Sequence, residues 1–145
     1  LDGIKLQIIS PARELFSHTD DDVNNNSLVI KLVYNDFSLL LMGDAEEVAV
    51  AQILQLPSPQ LQANVLQVPH HGSRDAMSAA LLEAVRPQAA VISVGKNIFG
   101  HPHAETLDIL KEQQVDIFRT DCHGAVTIES DGKGWQITTF LHPPS

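Results

Sequence analysis

Between Phe37 and Phe118 the chain alternates short β-rich runs with segments of helical periodicity, and this alternation restricts the fold more than any other feature of the sequence. Phe37–Met42, Val65–Val68, Ala90–Val94 and Ile117–Phe118 read as strands; the intervening segments, about 44–55, 75–85 and 104–113, read as helices. Parallel neighbours in a sheet need a long crossover, usually a helix. Four strands separated by three helices therefore predict an α/β fold with a mixed, largely parallel sheet. Leu39–Met42 is apolar on both faces, as expected of a strand covered on both sides. In the second helix Met77, Leu81 and Val85 recur at i, i+4 and i+8 and form one buried stripe. The first helix is expected to start at Asp44, which with Glu47 three residues later fits a capping box, and to end before Pro57 and Pro59.

Antiparallel pieces flank this core. Ile4–Ile8 alternates apolar and polar residues, and Ser27–Tyr34 with Phe37–Met42 reads as a hairpin turning at Asn35-Asp36. Ala125–Glu129 and Trp135–Phe140 read as a closing C-terminal hairpin around Asp131-Gly132. Asp20-Asp21-Asp22 and Asn24-Asn25-Asn26 read as a solvated polar loop, because no calcium-loop spacing or closing glutamate follows the carboxylates. Residues 142–145 read as an unstructured tail. The 145 residues suit one domain, and no stretch approaches the roughly 20 apolar residues of a membrane span. The single Cys122 excludes an internal disulfide. Leu1 leads directly into strand-like sequence, which reads as a piece of a longer protein.

The formal net charge of −9 argues against a broad phosphate-gripping surface, which needs clustered Lys and Arg. A local site is another matter. In open parallel sheets ligands bind beyond the C-terminal ends of the strands. Asp44 follows the first of these strands, His70-His71-Gly72-Ser73 the second, and His101 and His103 the third. One carboxylate with several imidazoles is a zinc-type donor set that needs no thiolate. Each residue also has a structural reading. Asp44 can serve as a helix N-cap, worth about 1 kcal/mol, and His101 can simply open a helix before Pro102. His123 reads as a solvated turn residue, and His18 and His142 carry no assignment. Spacing alone leaves a metal or phosphate site and a set of separate structural roles equally open.

Several motifs occur together and in order: Asn25-Asn26-Ser27-Leu28-Val29, Leu40-Leu41-Met42-Gly43-Asp44, His70-His71-Gly72-Ser73, Ser93-Val94-Gly95, Gly100-His101-Pro102-His103, and Arg119-Thr120-Asp121 with Gly124. Over residues 24–130 the chain resembles the C-terminal metallo-β-lactamase-like domain of ComEC-type competence proteins, which internalise DNA during bacterial transformation. The resemblance implies half of an αββα sandwich and a phosphodiesterase or nuclease that degrades the DNA strand not imported. It implies a catalytic role for Asp44, His70 and His71, with Asp44 bridging two divalent metal ions, zinc or manganese. It places one metal ligand on His70 or His71, with His70 preferred. Ser73, His101 and His103 would face the substrate or support the ligands. The implied partners are single-stranded DNA and the rest of a channel in the bacterial inner membrane, with this domain on the extracytoplasmic side.

One departure qualifies the resemblance. Metallo-β-lactamase-like enzymes carry an early His-x-His-x-Asp-His or His-x-Asp-x-Asp-His motif that supplies most ligands of the first metal. The nearest approach here, His18-Thr19-Asp20-Asp21-Asp22, lacks the closing histidine. The chain is therefore expected to be the second half of the fold, with weak or no metal binding and no activity of its own. An uncovered sheet face would then drive homo-oligomerisation. The alternative is a non-catalytic α/β binding module within a membrane DNA-transport assembly.

Overall fold

The computed structural model describes residues 3–142, so the expected tail lies, except for His142, outside the described residues. Six strands form one sheet whose spatial order follows the chain: β1 (Ile4–Ser10), β2 (Val29–Tyr34), β3 (Phe37–Leu41), β4 (Val65–Gln67), β5 (Ala89–Ile92) and β6 (Asp116–Arg119). β1, β2 and β3 pair antiparallel, and β3 to β6 pair parallel. The remaining strands, β7 (Val126–Ser130) and β8 (Trp135–Thr139), form a separate antiparallel hairpin. The expected mixed α/β architecture with a closing hairpin is the one observed.

The helices are α1 (Asp22–Asn25), α2 (Glu47–Ile53), α3 (Ser58–Leu61), α4 (Ala79–Val85), α5 (Ala104–Glu112) and α6 (Thr120–His123). Period-two alternation sends successive strand residues to opposite faces. Leu40, Leu66 and Ala90, in register across β3, β4 and β5, bury one face against Val50 and Ile53 of α2, Leu81 and Val85 of α4 and Leu110 of α5. A fully buried leucine of this kind contributes about 1.5–3 kcal/mol. The neighbouring row, Phe37, Val65 and Ala89, points the other way and is covered by Ile128, Trp135 and Ile137 of the hairpin. The Asp36 N–H donates to the Gly132 carbonyl at 2.8 Å, pinning the hairpin tip to the β2–β3 turn. The hairpin does not cover the whole face: Leu6 and Ile8 on β1 remain 66% and 70% exposed.

Local chemistry moves several boundaries. The polar run at 20–26 folds into α1 rather than a solvated loop: Asp21 caps it by accepting the Asn24 N–H, and buried Asn25 accepts the Ala49 N–H at 3.0 Å. The capping box at Asp44 does not form; α2 starts at Glu47, behind Glu46. α4 starts at Ala79, capped by the Ser78 hydroxyl, rather than near Asp75. Pro57 and Pro59, expected only to end a helix, open the one-turn α3. Its last carbonyls at Pro59 and Gln60 accept from the buried Lys31 ammonium, whose pKa burial pushes down.

Candidate functional site

The C-terminal ends of β3, β4, β5 and β6 share one edge, with Leu41, Gln67, Val91 and Phe118 aligned across it. The loops leaving that edge are tied together by hydrogen bonds. Gln67 Oε1 accepts the Met42 and Gly43 N–H groups at 3.0 and 2.9 Å, and the His70 N–H donates to the Gly43 carbonyl at 3.0 Å. The segment bearing Asp44 is thus held against the segment bearing the histidine pair.

After β4, Pro69–Gly72 makes a 3-10 turn in which His70 (φ 42°), His71 (φ 54°) and Gly72 (φ 85°) all take left-handed backbone angles. For a residue with a side chain this costs about 1–2 kcal/mol. Such strain persists only where surrounding contacts impose it, and it concentrates at functional sites. The contacts here are specific. The His70 Nδ1–H donates to the Glu46 carboxylate, and the His71 Nδ1–H donates to the Ser93 carbonyl at 2.6 Å. Donation from Nδ1 leaves the lone pair of each ring on Nε2, the tautomer that ligates a metal through Nε2.

His71 Nε2 lies 3.6 Å from Asp44 Oδ1, and both side chains are about half exposed. Two electron-rich atoms at this separation suit a shared cation, since two bonds of about 2.1 Å at a tetrahedral centre span about 3.4 Å. Asp44 therefore meets His71, while His70 meets Glu46 and stacks edge-on to His101, with ring centroids 5.4 Å apart. His101 in turn lies 4.9 Å from the His103 ring. Burial, then the nearby His103, His70 and His71 rings, hold the His101 imidazole below the usual histidine range, against the opposing pull of Glu46. His103 Nδ1 accepts the Arg74 N–H at 3.2 Å, which makes its Nε2–H a donor. Ser73 is buried, with its N–H on the His70 carbonyl and its own carbonyl on the Thr106 hydroxyl, so it braces the turn.

Among the described residues no three His, Cys, Asp or Glu side chains gather closely enough to hold a metal ion. The Asp44–His71 pair fits two corners of a divalent-metal site, and a complete set of about three protein ligands is not assembled. Beside this pair lies a cavity of about 390 Å³ lined by His71, Ser93, Asn97, Phe99, His101 and Thr120, among others. His123 is not the solvated turn residue that the sequence suggested: its Nδ1 accepts the Arg119 N–H at 2.9 Å, and its ring packs near Phe118.

Sequence reasoning missed Glu46, reading it only as part of a helix start, missed Asn97 altogether, and placed Thr120 within a motif without giving it a role. The signal for Glu46 was its place two residues after Asp44 in a turn, which presents both carboxylates to the same loop. Thr120 opens the short α6 directly after β6; its hydroxyl accepts the Val94 N–H at 2.7 Å and holds the end of β5 in place.

No protein-family model matches the chain. Among known proteins it is similar to ComE operon protein 3 of Bacillus subtilis, 34% identical over 122 residues, which is 83% of this chain and 15% of that protein. It is 35% identical over 128 residues to Recombination protein 2 of Haemophilus influenzae, covering 87% of this chain and 15% of that one. Competence protein ComA of Neisseria gonorrhoeae is 29% identical over 126 residues, 86% of this chain and 18% of its own length. The chain is related to ComEC-type competence proteins. It spans less than a fifth of the length of these relatives. Among the described residues no helix is long and apolar enough to cross a membrane.

Proposed function

We propose that the chain carries part of the DNA-processing site of a natural-transformation protein, a phosphodiesterase site of the metallo-β-lactamase type. The observation behind this reading is the Asp44–His71 pair, with His71 oriented from behind by Ser93, on the strand edge of a chain related to competence proteins. A divalent zinc or manganese ion there would supply charge stabilisation and activation of water toward a phosphodiester. The chain's own residues hold and orient: Asp44 and His71 supply donors, Glu46 fixes the His70 ring, and the His103 Nε2–H can donate to a phosphate oxygen. With two of about three ligands assembled, the isolated chain binds metal weakly and does not cleave DNA.

The substrate is single-stranded DNA, and the working protein is anchored in the bacterial inner membrane with this domain on the extracytoplasmic side. The uncovered part of the sheet face around Leu6 and Ile8 is the surface for the rest of that protein or for a second copy. The absence of a three-ligand group among the described residues also favours a second reading, a non-catalytic DNA-binding module in the same assembly.

Calorimetric titration with zinc and manganese, beside a single-stranded DNA cleavage assay, tests the proposal. Weak metal binding that falls at least tenfold in Asp44→Ala and His71→Ala is expected, with cleavage only when the polypeptide is extended by the upstream half of the fold. Metal binding unchanged in both variants would sink the site. An extended protein that binds metal and DNA without cutting would select the binding module.

A further inference from the structure

We infer that the loop 95–100 is a nucleobase-stacking subsite in which Phe99 receives an unpaired base of single-stranded nucleic acid next to the Asp44–His71 pair; this rests on the DNA-processing reading above. Phe99 is 71% exposed, yet it belongs to a loop that is firmly built. The Asn97 side chain makes four hydrogen bonds within it. Its Oδ1 accepts the Phe99 and His101 N–H groups, both at 3.0 Å, and its Nδ2 donates to the carbonyls of Gly95 at 3.0 Å and His101 at 2.8 Å. A large apolar ring kept in water by a rigid polar clasp gains nothing for folding and is poised for contact. The ring stands 6.0 Å from that of His101 and lines the 390 Å³ cavity, whose size lies in the range of about 300–1,000 Å³ typical of small-molecule pockets. The same cavity reaches His71, so a base on Phe99 brings its own phosphate toward the metal-ligating pair.

Charge selects the chemistry of the ligand. With a net charge of −9 the chain cannot hold a polyanion by a broad basic surface, and Lys96 is the cation lining this cavity. Single-strand binders join a basic groove to aromatic side chains on which bases stack, and every base offers a π face; with little basic surface here, stacking on Phe99 has to supply most of the hold. Because stacking needs an unpaired base, the subsite prefers single strands to duplex. Ile98 is 95% exposed but does not line the cavity, which makes it the internal control.

The test uses fluorescence anisotropy of a labelled oligothymidylate and of a matched abasic strand with the same phosphates, both in EDTA, so that neither metal affinity nor cleavage enters the readout. The chain is expected to prefer oligothymidylate. Phe99→Ala should weaken that binding about 5- to 150-fold while leaving abasic binding unchanged; Phe99→Trp should restore it, and Ile98→Ser should leave it alone. Equal binding of both strands, no binding of either, or equal losses in Phe99→Ala and Ile98→Ser would overturn the subsite, the last pointing to a general apolar contact surface instead. Base-dependent binding by an extended protein that never cuts DNA would refute the phosphodiesterase and leave the subsite standing. Cutting with no preference for bases would do the reverse.

Discussion

Replacing Gly72 by alanine tests how the histidine turn is held. Gly72 sits at φ +85°, and a Cβ there would lie 2.6 Å from Pro102 Cβ and 3.1 Å from Pro102 Cα, where ordinary contact begins at about 3.4 Å. Part of the cost is backbone: an alanine in the left-handed region loses about 1–2 kcal/mol. The rest is overpacking, about 1–3 kcal/mol, because Pro102 Cα belongs to the main chain and cannot swing aside. Opening the gap pushes the start of α5 away and strains the His103 N–H and Thr106 hydroxyl bonds to the Gly72 carbonyl, at 3.0 and 3.1 Å. The total expected loss is about 2–5 kcal/mol, which at a urea m-value of about 2 kcal/mol/M lowers the unfolding midpoint by roughly 1–2.5 M. Urea denaturation followed by circular dichroism reads this directly. Gly95→Ala is the control, since a Cβ there meets nothing within 4 Å and the backbone is not left-handed; it should stay within about 0.5 kcal/mol of wild type. A Gly72→Ala midpoint within 0.3 M of wild type, on the order of that same margin, or equal damage from both variants, would refute the packing argument.

Two further predictions follow from other parts of the molecule. The strip around Leu6 and Ile8 should drive concentration-dependent self-association, detectable by light scattering and reduced in a Leu6→Ser/Ile8→Ser double variant; a wild-type chain that stays monomeric at high concentration would count against it. The hydrogen bonds from Arg119 hold the Asp121 carboxyl below its ordinary value of 3.8. The unfolded state therefore binds more protons around and below that pH, so the pair's contribution is complete above 3.8 and is lost as pH falls through the folded-state pKa. The destabilisation by Asp121→Asn, about 1 kcal/mol near neutrality, should accordingly shrink in melts run below pH 3.8, and a pH-independent difference would contradict the assignment.

The sheet was legible because its central strands are short apolar runs set between helices long enough to show a period. Leu40, Leu66 and Ala90 lie in apolar runs, and Leu81 and Val85 share the buried face of α4; no tertiary information is needed to read either, whereas Met77, expected on the same stripe, is buried ahead of the helix. The elements that escaped, α1, α3 and α6, are four residues each, about one turn, too short for any periodicity to register. Their causes lie elsewhere in the chain. Asn25 is buried because it accepts from Ala49 of α2, and α3 is anchored by Lys31 from β2, a residue whose position in the strand pattern gave no hint that its ammonium would point inward.

The candidate site divides along the same line. That Asp44, the His70-His71 pair and the His101–His103 segment share one edge follows from strand order, and strand order was readable. Which imidazole stands opposite Asp44 was not, because three consecutive left-handed residues reverse the direction that any regular strand-to-helix turn would give the side chains. The outcome is decided by acceptors from other segments: the Ser93 carbonyl beyond β5 takes the Nδ1–H of His71, and Glu46 ahead of α2 takes that of His70. This division also explains why the capping box failed. An Asp44 side chain turned toward His71 cannot also cap a helix, and a Glu46 engaged with His70 is drawn out of the first turn, so the N-cap position moves two residues on, from Asp44 to Glu46. At this edge helix-terminal chemistry is given up in favour of placing two carboxylates against two histidines, a local inconsistency of the kind expected at functional or strained positions.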